Sequence, residues 1–314
     1  MNEYRYRKIP YLFIIDFDIS DPVIIPLEDA KSEGIFYSIN GMSNYTDRGR
    51  NQNEVLLIPQ PVDIKIYEKA FIKVQEQIQA GNTYLINLTF ETPVQLNISL
   101  EEVFNRSNAR YKLLYKDKFV VFSPESFVTI NGNEIATFPM KGTIDASIKD
   151  ASEVILHDKK EMAEHATITD LLRNDLSIIA SDVRVERYRY LERLVTNHKS
   201  LLQVSSEIRG ILSAEVMENP GYIFRQLLPA GSISGAPKKK TTEIIREVEN
   251  HERGYYTGVF GYDNGTRTES GVMIRYIEQR GGEFYYKSGG GITFMSDMEM
   301  EYLEMVDKVY LPIE

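Results

Sequence analysis

The 314-residue sequence contains no cysteine. That absence excludes a disulfide framework, a thiolate metal centre and a cysteine nucleophile, and it fits a reducing cytosol. Cationic excess is missing too. With 36 Lys and Arg against 46 Asp and Glu the net charge is −10, and Lys238, Lys239 and Lys240 form the sole basic triple. Such a chain lacks the electrostatic footprint of a nucleic-acid or anionic-membrane binder. Long apolar runs are lacking as well: Tyr11 to Ile15 is cut short by Asp16 and Asp18, too soon for a signal-peptide core or a membrane span. No Pro/Gly/Ser-rich linker, low-complexity tract or internal repeat divides the sequence, so residues 1–314 are expected to form a single domain.

What is present reads as strands punctuated by a few strong helices. Tyr11 to Phe17, Ile35 to Ile39 and Val55 to Ile58 are β-rich runs bounded by turn residues. Tyr67, Phe71, Val74 and Ile78 recur at helical spacing between Ile66 and Ala80, and Gly81 follows as a C-terminal stop. A strand from Thr83 to Phe90 comes next, then a capping box at Ser99 and Glu102. Tyr111 to Tyr115, Phe119 to Phe122 and Phe127 to Ile130 form a meander ending in the hairpin signal Asn131-Gly132. Asp158 caps a long helix on which Glu161 and Glu164 lie one turn apart. The Arg- and Tyr-rich stretch Arg184 to Arg193 reads, in a chain this acidic, as a paired strand face.

Further along, Asn219-Pro220 opens a helix. Gly231 and Gly235 then punctuate a small-residue loop from Pro229 to Lys238 that could hold a carboxylate or phosphate by backbone N–H groups, although its spacing is not a Walker loop. Arg275 falls in a strand from Gly271 to Ile277. Gly289, Gly290 and Gly291 offer a second place for close backbone approach. Ser296 and Glu299 form a capping box for the last helix, which carries Glu301, Glu304 and Lys308 at helical spacing.

The centre of the chemistry is Lys141. The strand-like run Glu134 to Phe138 leads through Pro139 and Met140 to Lys141, and the chain breaks at Gly142. A lysine at a turn is ordinarily solvated. One delivered from a strand end into an apolar surround of Phe138, Pro139 and Met140 is expected to have a lowered pKa and to serve as a nucleophile. Register across the Asn131-Gly132 hairpin places Glu125 near it.

Taken in order, these blocks resemble the chorismate-utilising enzymes. They comprise Ser123-Pro124-Glu125, Pro139-Met140-Lys141-Gly142-Thr143, Glu164 with Asp170 to Asp175, Gly231 to Lys238, Gly289 to Ile292, and the Glu301, Glu304, Lys308 helix. Within that family the lysine at position 141 resembles the aminodeoxychorismate synthase component I branch, where anthranilate synthases carry alanine. Leu85 stands where isochorismate and salicylate synthases carry a water-activating lysine.

The resemblance implies an α+β fold of two large antiparallel sheets packed as a sandwich with helices outside. It implies a Mg²⁺ ion held by Glu164, Glu304 and Glu301, and chorismate bound by Arg275, Tyr256, Lys238, Ser232, Gly289, Gly290 and Gln203, the last in place of a family histidine. Lys141 is implied as the covalent catalyst and Glu125 as the proton donor. Ammonia is expected from glutamine through a separate glutamine amidotransferase subunit, because a chain without cysteine cannot be the usual glutaminase. About 65 residues precede the first helix, fewer than in tryptophan-regulated members. Anthranilate synthase component I is the alternative activity, and a degenerate chorismate-binding subunit the non-enzymatic one. A cytoplasmic location is expected, with neither nucleic acid nor membrane as a partner.

Overall fold

A computed structural model describes residues 1–46, 54–195 and 200–313. Two nine-stranded, antiparallel sheets form its frame. The first runs through Ser181–Val195, Ser200–Ile211, Glu134–Thr137, Ser126–Asn131, Arg267–Val272, Val259–Asp263, Tyr11–Ile15 and Val23–Pro26, with Met140–Asp145 paired to Ser200–Ile211 beyond the end of Glu134–Thr137. The second runs through Gly235–Ala236, Leu85–Leu96, Glu283–Thr293, Tyr276–Arg280, Phe119–Ser123, Tyr111–Tyr115, Ile35–Ile39 and Met42–Ser43, with Leu57–Pro59 on the far part of Leu85–Leu96.

Side-chain alternation along each strand divides the apolar residues among three layers. Leu12 and Ile14 of the first sheet meet Ile35, Tyr37, Leu113, Phe119 and Val121 of the second between the sheets. Tyr11, Phe13 and Ile15 point the other way, under the helices, where Phe13 and Phe224 have ring centroids 4.6 Å apart. On the outer side of the second sheet, Leu114, Val120 and Phe122 pack on Val103 and Phe104 of the helix Leu100–Arg106. Gly271 allows the sheets to close: a Cβ there would lie 2.8 Å from the Tyr111 ring. The sandwich with outer helices is the architecture expected from the sequence.

Helix boundaries follow the caps. Asp63 accepts from the Lys65 amide and opens Ile64–Gln79, two residues before the expected start, and Gly81 has φ +74° just beyond Ala80. Asp158 accepts from the Glu161 amide and opens Lys159–Ser177, the helix that carries Glu164. The last helix departs from expectation. Its N-cap is Asp297, not Ser296; the Ser296 hydroxyl instead donates to Glu301 at 2.9 Å.

The strand expected from Gly271 to Ile277 is also divided. Arg267–Val272 belongs to the first sheet and Tyr276–Arg280 to the second, and the chain crosses between them at Met273, Ile274 and Arg275. Arg275 makes the turn with φ +54°, a conformation uncommon for a side chain of its size. Among the described residues no helix is long and apolar enough to cross a membrane.

Candidate active site

A cavity of about 470 Å³ opens where the strands Leu85–Leu96 and Glu283–Thr293 meet the helix Lys159–Ser177 and the strand bearing Lys141. Lys141, Glu125, Glu164, Arg275, Tyr256, Ser232, Gly289 and Gly290, all singled out in the sequence, lie on its wall. Leu85 is on the wall too, as apolar surface.

Lys141 sits at a break in strand pairing. Met140 pairs with Ser205 and Thr143 with Gln203, so the ladder slips between them. Bulges of this kind redirect side chains. Gly142 has φ +96° within this irregularity, and a Cβ there would come within 3.0 Å of a Glu161 carboxylate oxygen. The expectation of a lowered lysine pKa is not met. Burial alone would lower it, but Glu164 lies 2.8 Å from Nζ and raises it instead. In the free protein Lys141 is therefore stored as an ion pair.

Glu125 is held by the Ser232 hydroxyl, which donates to it at 2.6 Å. Burial pushes its pKa above the ordinary carboxylate value, partly offset by that hydrogen bond and by Arg275 and Lys308. The hairpin ladder that was expected to set it beside Lys141 ends at the Ala136–Thr129 pair, and the two residues meet as cavity neighbours instead.

Arg275 donates from Nη1 to the Lys308 carbonyl at 3.0 Å, and its guanidinium lies 4.7 Å from the Tyr310 ring centroid. Its Nε is buried without a hydrogen-bond partner. Lys308, read in the sequence only as a helix salt bridge, is a cavity residue. It donates to the Gly289 carbonyl at 2.8 Å and pairs with Glu304 at 2.6 Å. Burial would push Glu304 up, but Lys308 holds it below its ordinary value. Lys287 and Asn87 also line the cavity and were missed. Strand alternation could have found Lys287, which lies two positions before Gly289.

Two expected ligands lie elsewhere. Lys238 pairs with Asp175 at 2.9 Å and donates to the Leu227 carbonyl at 2.8 Å, which turns it off the cavity. Gln203 accepts from the Thr143 hydroxyl and donates to the Gly142 carbonyl, behind the lysine strand. The two loop glycines are required by close contacts. A Cβ on Gly235 would lie 2.0 Å from the Leu85 carbonyl oxygen, and one on Gly231 would lie 2.8 Å from Asp175. Both permit close packing.

Glu301 and Glu304 stand behind Gly290, whose Cβ position is 3.3 Å from Glu301 and 3.8 Å from Glu304. Glu301 is buried, with its pKa raised by that burial. Among the described residues no three carboxylate or histidine side chains converge as a closed metal cage. The buried Oε2 of Glu161, one turn before Glu164, has no hydrogen-bond partner.

Sequence comparison accords with this arrangement. The pattern of the chorismate binding enzymes matches residues 27–314. An uncharacterized PabA-like protein of Haemophilus influenzae is 47% identical over 313 residues, covering 100% of this chain and 95% of its own. Anthranilate synthase component 1 of Archaeoglobus fulgidus is 32% identical over 77% of this chain and 60% of its own. Aminodeoxychorismate synthase component 1 of Bacillus subtilis is 29% identical over 78% and 54%. The crystal structure of anthranilate synthase component I from Streptococcus pneumoniae superposes with a TM-score of 0.69 at 26% identity, covering 83% of this chain and 60% of that one. With the match spanning nearly the whole chain and the two-sheet frame shared, the protein belongs to the chorismate binding enzyme family.

Proposed function

We propose that this chain converts chorismate and ammonia into 4-amino-4-deoxychorismate, a step towards para-aminobenzoate and folate, with ammonia supplied by a separate glutamine amidotransferase. The observation that carries this reading is Lys141 and Glu125 on the wall of one cavity also lined by Arg275, Lys287 and Lys308. Arg275 and Lys308 suit a dianionic substrate, whereas the Lys287 ammonium is taken up by Glu278 and the Glu252 and Arg253 carbonyls; Lys141 is the nucleophile that an anthranilate-type site would lack.

Nζ of Lys141 must be neutral to attack, so it has to part from Glu164 and release its extra proton to solvent as substrate binds. Nζ then bonds to ring carbon 2, the diene electrons shift, and the carbon 4–oxygen bond breaks. The proton of the Glu125 carboxyl leaves on that hydroxyl as water. Ammonia next bonds to carbon 4, the electrons shift back, the carbon 2–Nζ bond breaks to release neutral lysine, and the extra proton on the new nitrogen returns to the Glu125 carboxylate. Dividing one substitution into two is the gain from covalent catalysis.

The acidic residues implied by the resemblance are compatible with Mg²⁺ only as a partial set, since that ion takes few protein carboxylates and completes its octahedron with water and substrate oxygens. Glu164, Glu304 and Glu301 would hold it, and the unpartnered Glu161 oxygen, beside Gly142 and one turn before Glu164, is one more acceptor. When bound, the ion would supply positive charge to the ring carboxylate of the substrate.

Anthranilate formation is the second reading, favoured by the similarity to the Archaeoglobus fulgidus enzyme. Lys141→Ala separates the two. Loss of aminodeoxychorismate in the variant is expected; unchanged turnover would remove Lys141 from the mechanism.

A further inference from the structure

We infer that His165 is a positioning residue that aims Lys141, by holding the main-chain carbonyl of Lys141 at the bulge in its strand. The inference rests on the reading of Lys141 as nucleophile. The strand Ser200–Ile211 is flanked by irregularities on both edges, at adjacent levels that meet at Ser205. On one side the register slips between Met140 and Thr143, and on the other between Arg187 and Tyr190, where Arg189 has φ +51°. A slipped ladder leaves main-chain groups that side chains must satisfy if they are buried.

His165 spans that gap. It is fully buried, at 0% exposure, on the helix Lys159–Ser177. Its Nδ1 lies 3.2 Å from the Lys141 carbonyl and its Nε2 2.7 Å from the Ser206 hydroxyl, while Ser206 Oγ accepts from the Arg189 amide at 2.9 Å. The proton directions follow from chemistry. A carbonyl cannot donate, so Nδ1 carries the hydrogen. The Arg189 amide can only donate, which leaves the Ser206 hydroxyl free to give its own hydrogen to Nε2. Every bond in the chain from Arg189 to Lys141 is thereby satisfied with one neutral tautomer. The next carbonyl, that of Gly142, accepts from Gln203 Nε2 at 2.9 Å. Two side chains thus hold the two consecutive carbonyls that set the direction of the lysine.

His165→Phe keeps a ring of similar volume but removes both hydrogen bonds, and His165→Asn restores a donor near the Nδ1 position. With chorismate and ammonium as substrates, His165→Phe is expected to lower kcat by about 10²-fold, the scale of a small misplacement of a reacting group, with KM for chorismate nearly unchanged. His165→Asn should recover most of that loss. A phenylalanine variant with wild-type kcat, or an asparagine variant no better than it, overturns the inference. Nitrogen-15 NMR of the wild-type imidazole provides a readout that needs no turnover: Nδ1 should be the protonated nitrogen. An Nε2-protonated ring would overturn the hydrogen-bond assignment even if amination occurs. An Nδ1-protonated ring in a protein that makes no aminodeoxychorismate would instead place the failure in the proposed reaction.

Discussion

At the scale of single residues the site works by opposing burial with chosen partners. Glu125 shows burial prevailing: its folded pKa is raised. A group shifted in this direction adds stability below its unfolded pKa and loses that contribution as pH rises through the folded one. Glu125→Gln should therefore gain in melting temperature over the wild type as pH climbs above the ordinary carboxylate range. The same variant should lose about 10²- to 10⁴-fold in kcat, because an amide cannot give up the proton that the departing hydroxyl needs. Melting curves and rates across pH check both. Lys141 shows the opposite outcome, since Glu164 outweighs burial. That outcome was not legible in the sequence. The apolar neighbours Phe138, Pro139 and Met140 are adjacent in the chain, whereas the deciding carboxylate arrives from a helix 23 positions on.

At the scale of elements, the site depends on places where regular pairing fails. The chain crosses between the sheets at Arg275, slips register at Lys141, and crowds a glycine against a carbonyl at Gly235. Gly235→Ala should cost about 1–3 kcal/mol or more in denaturant unfolding, as overpacking does, because a Cβ would lie 2.0 Å from the Leu85 oxygen at φ +128°. Asp158→Ala should cost about 1 kcal/mol by uncapping the helix that carries Glu164 and His165. A chevron or equilibrium titration measures either. Helices, hairpins and most strands were legible, because periodicity, caps and turn residues are local signals. The crossing at Arg275 was not: Gly271 to Ile277 has one continuous β pattern, and only partners from two different sheets divide it. Lys238 failed for a related reason. The resemblance implied it as a substrate ligand, but Asp175, distant in sequence, takes up its ammonium.

At the scale of the whole molecule, two sheets and their outer helices converge six separated sequence blocks on one cavity. The order of those blocks revealed the family and the sandwich, while the division of labour within the cavity needed coordinates. Lys308 lines the cavity and holds the Gly289 carbonyl, although its spacing from Glu304 reads as an ordinary helix pair. Since the chain has no cysteine, purified protein given glutamine alone should release no glutamate, whereas ammonium should support turnover. Addition of a cysteine-bearing glutaminase subunit should make glutamine a substrate. The most direct test of the central claim is mass spectrometry of the products formed from chorismate, Mg²⁺ and ammonium at alkaline pH, with wild type and Lys141→Ala side by side. The account predicts 4-amino-4-deoxychorismate without pyruvate from the wild type and none from the variant; anthranilate with pyruvate from the wild type would contradict it.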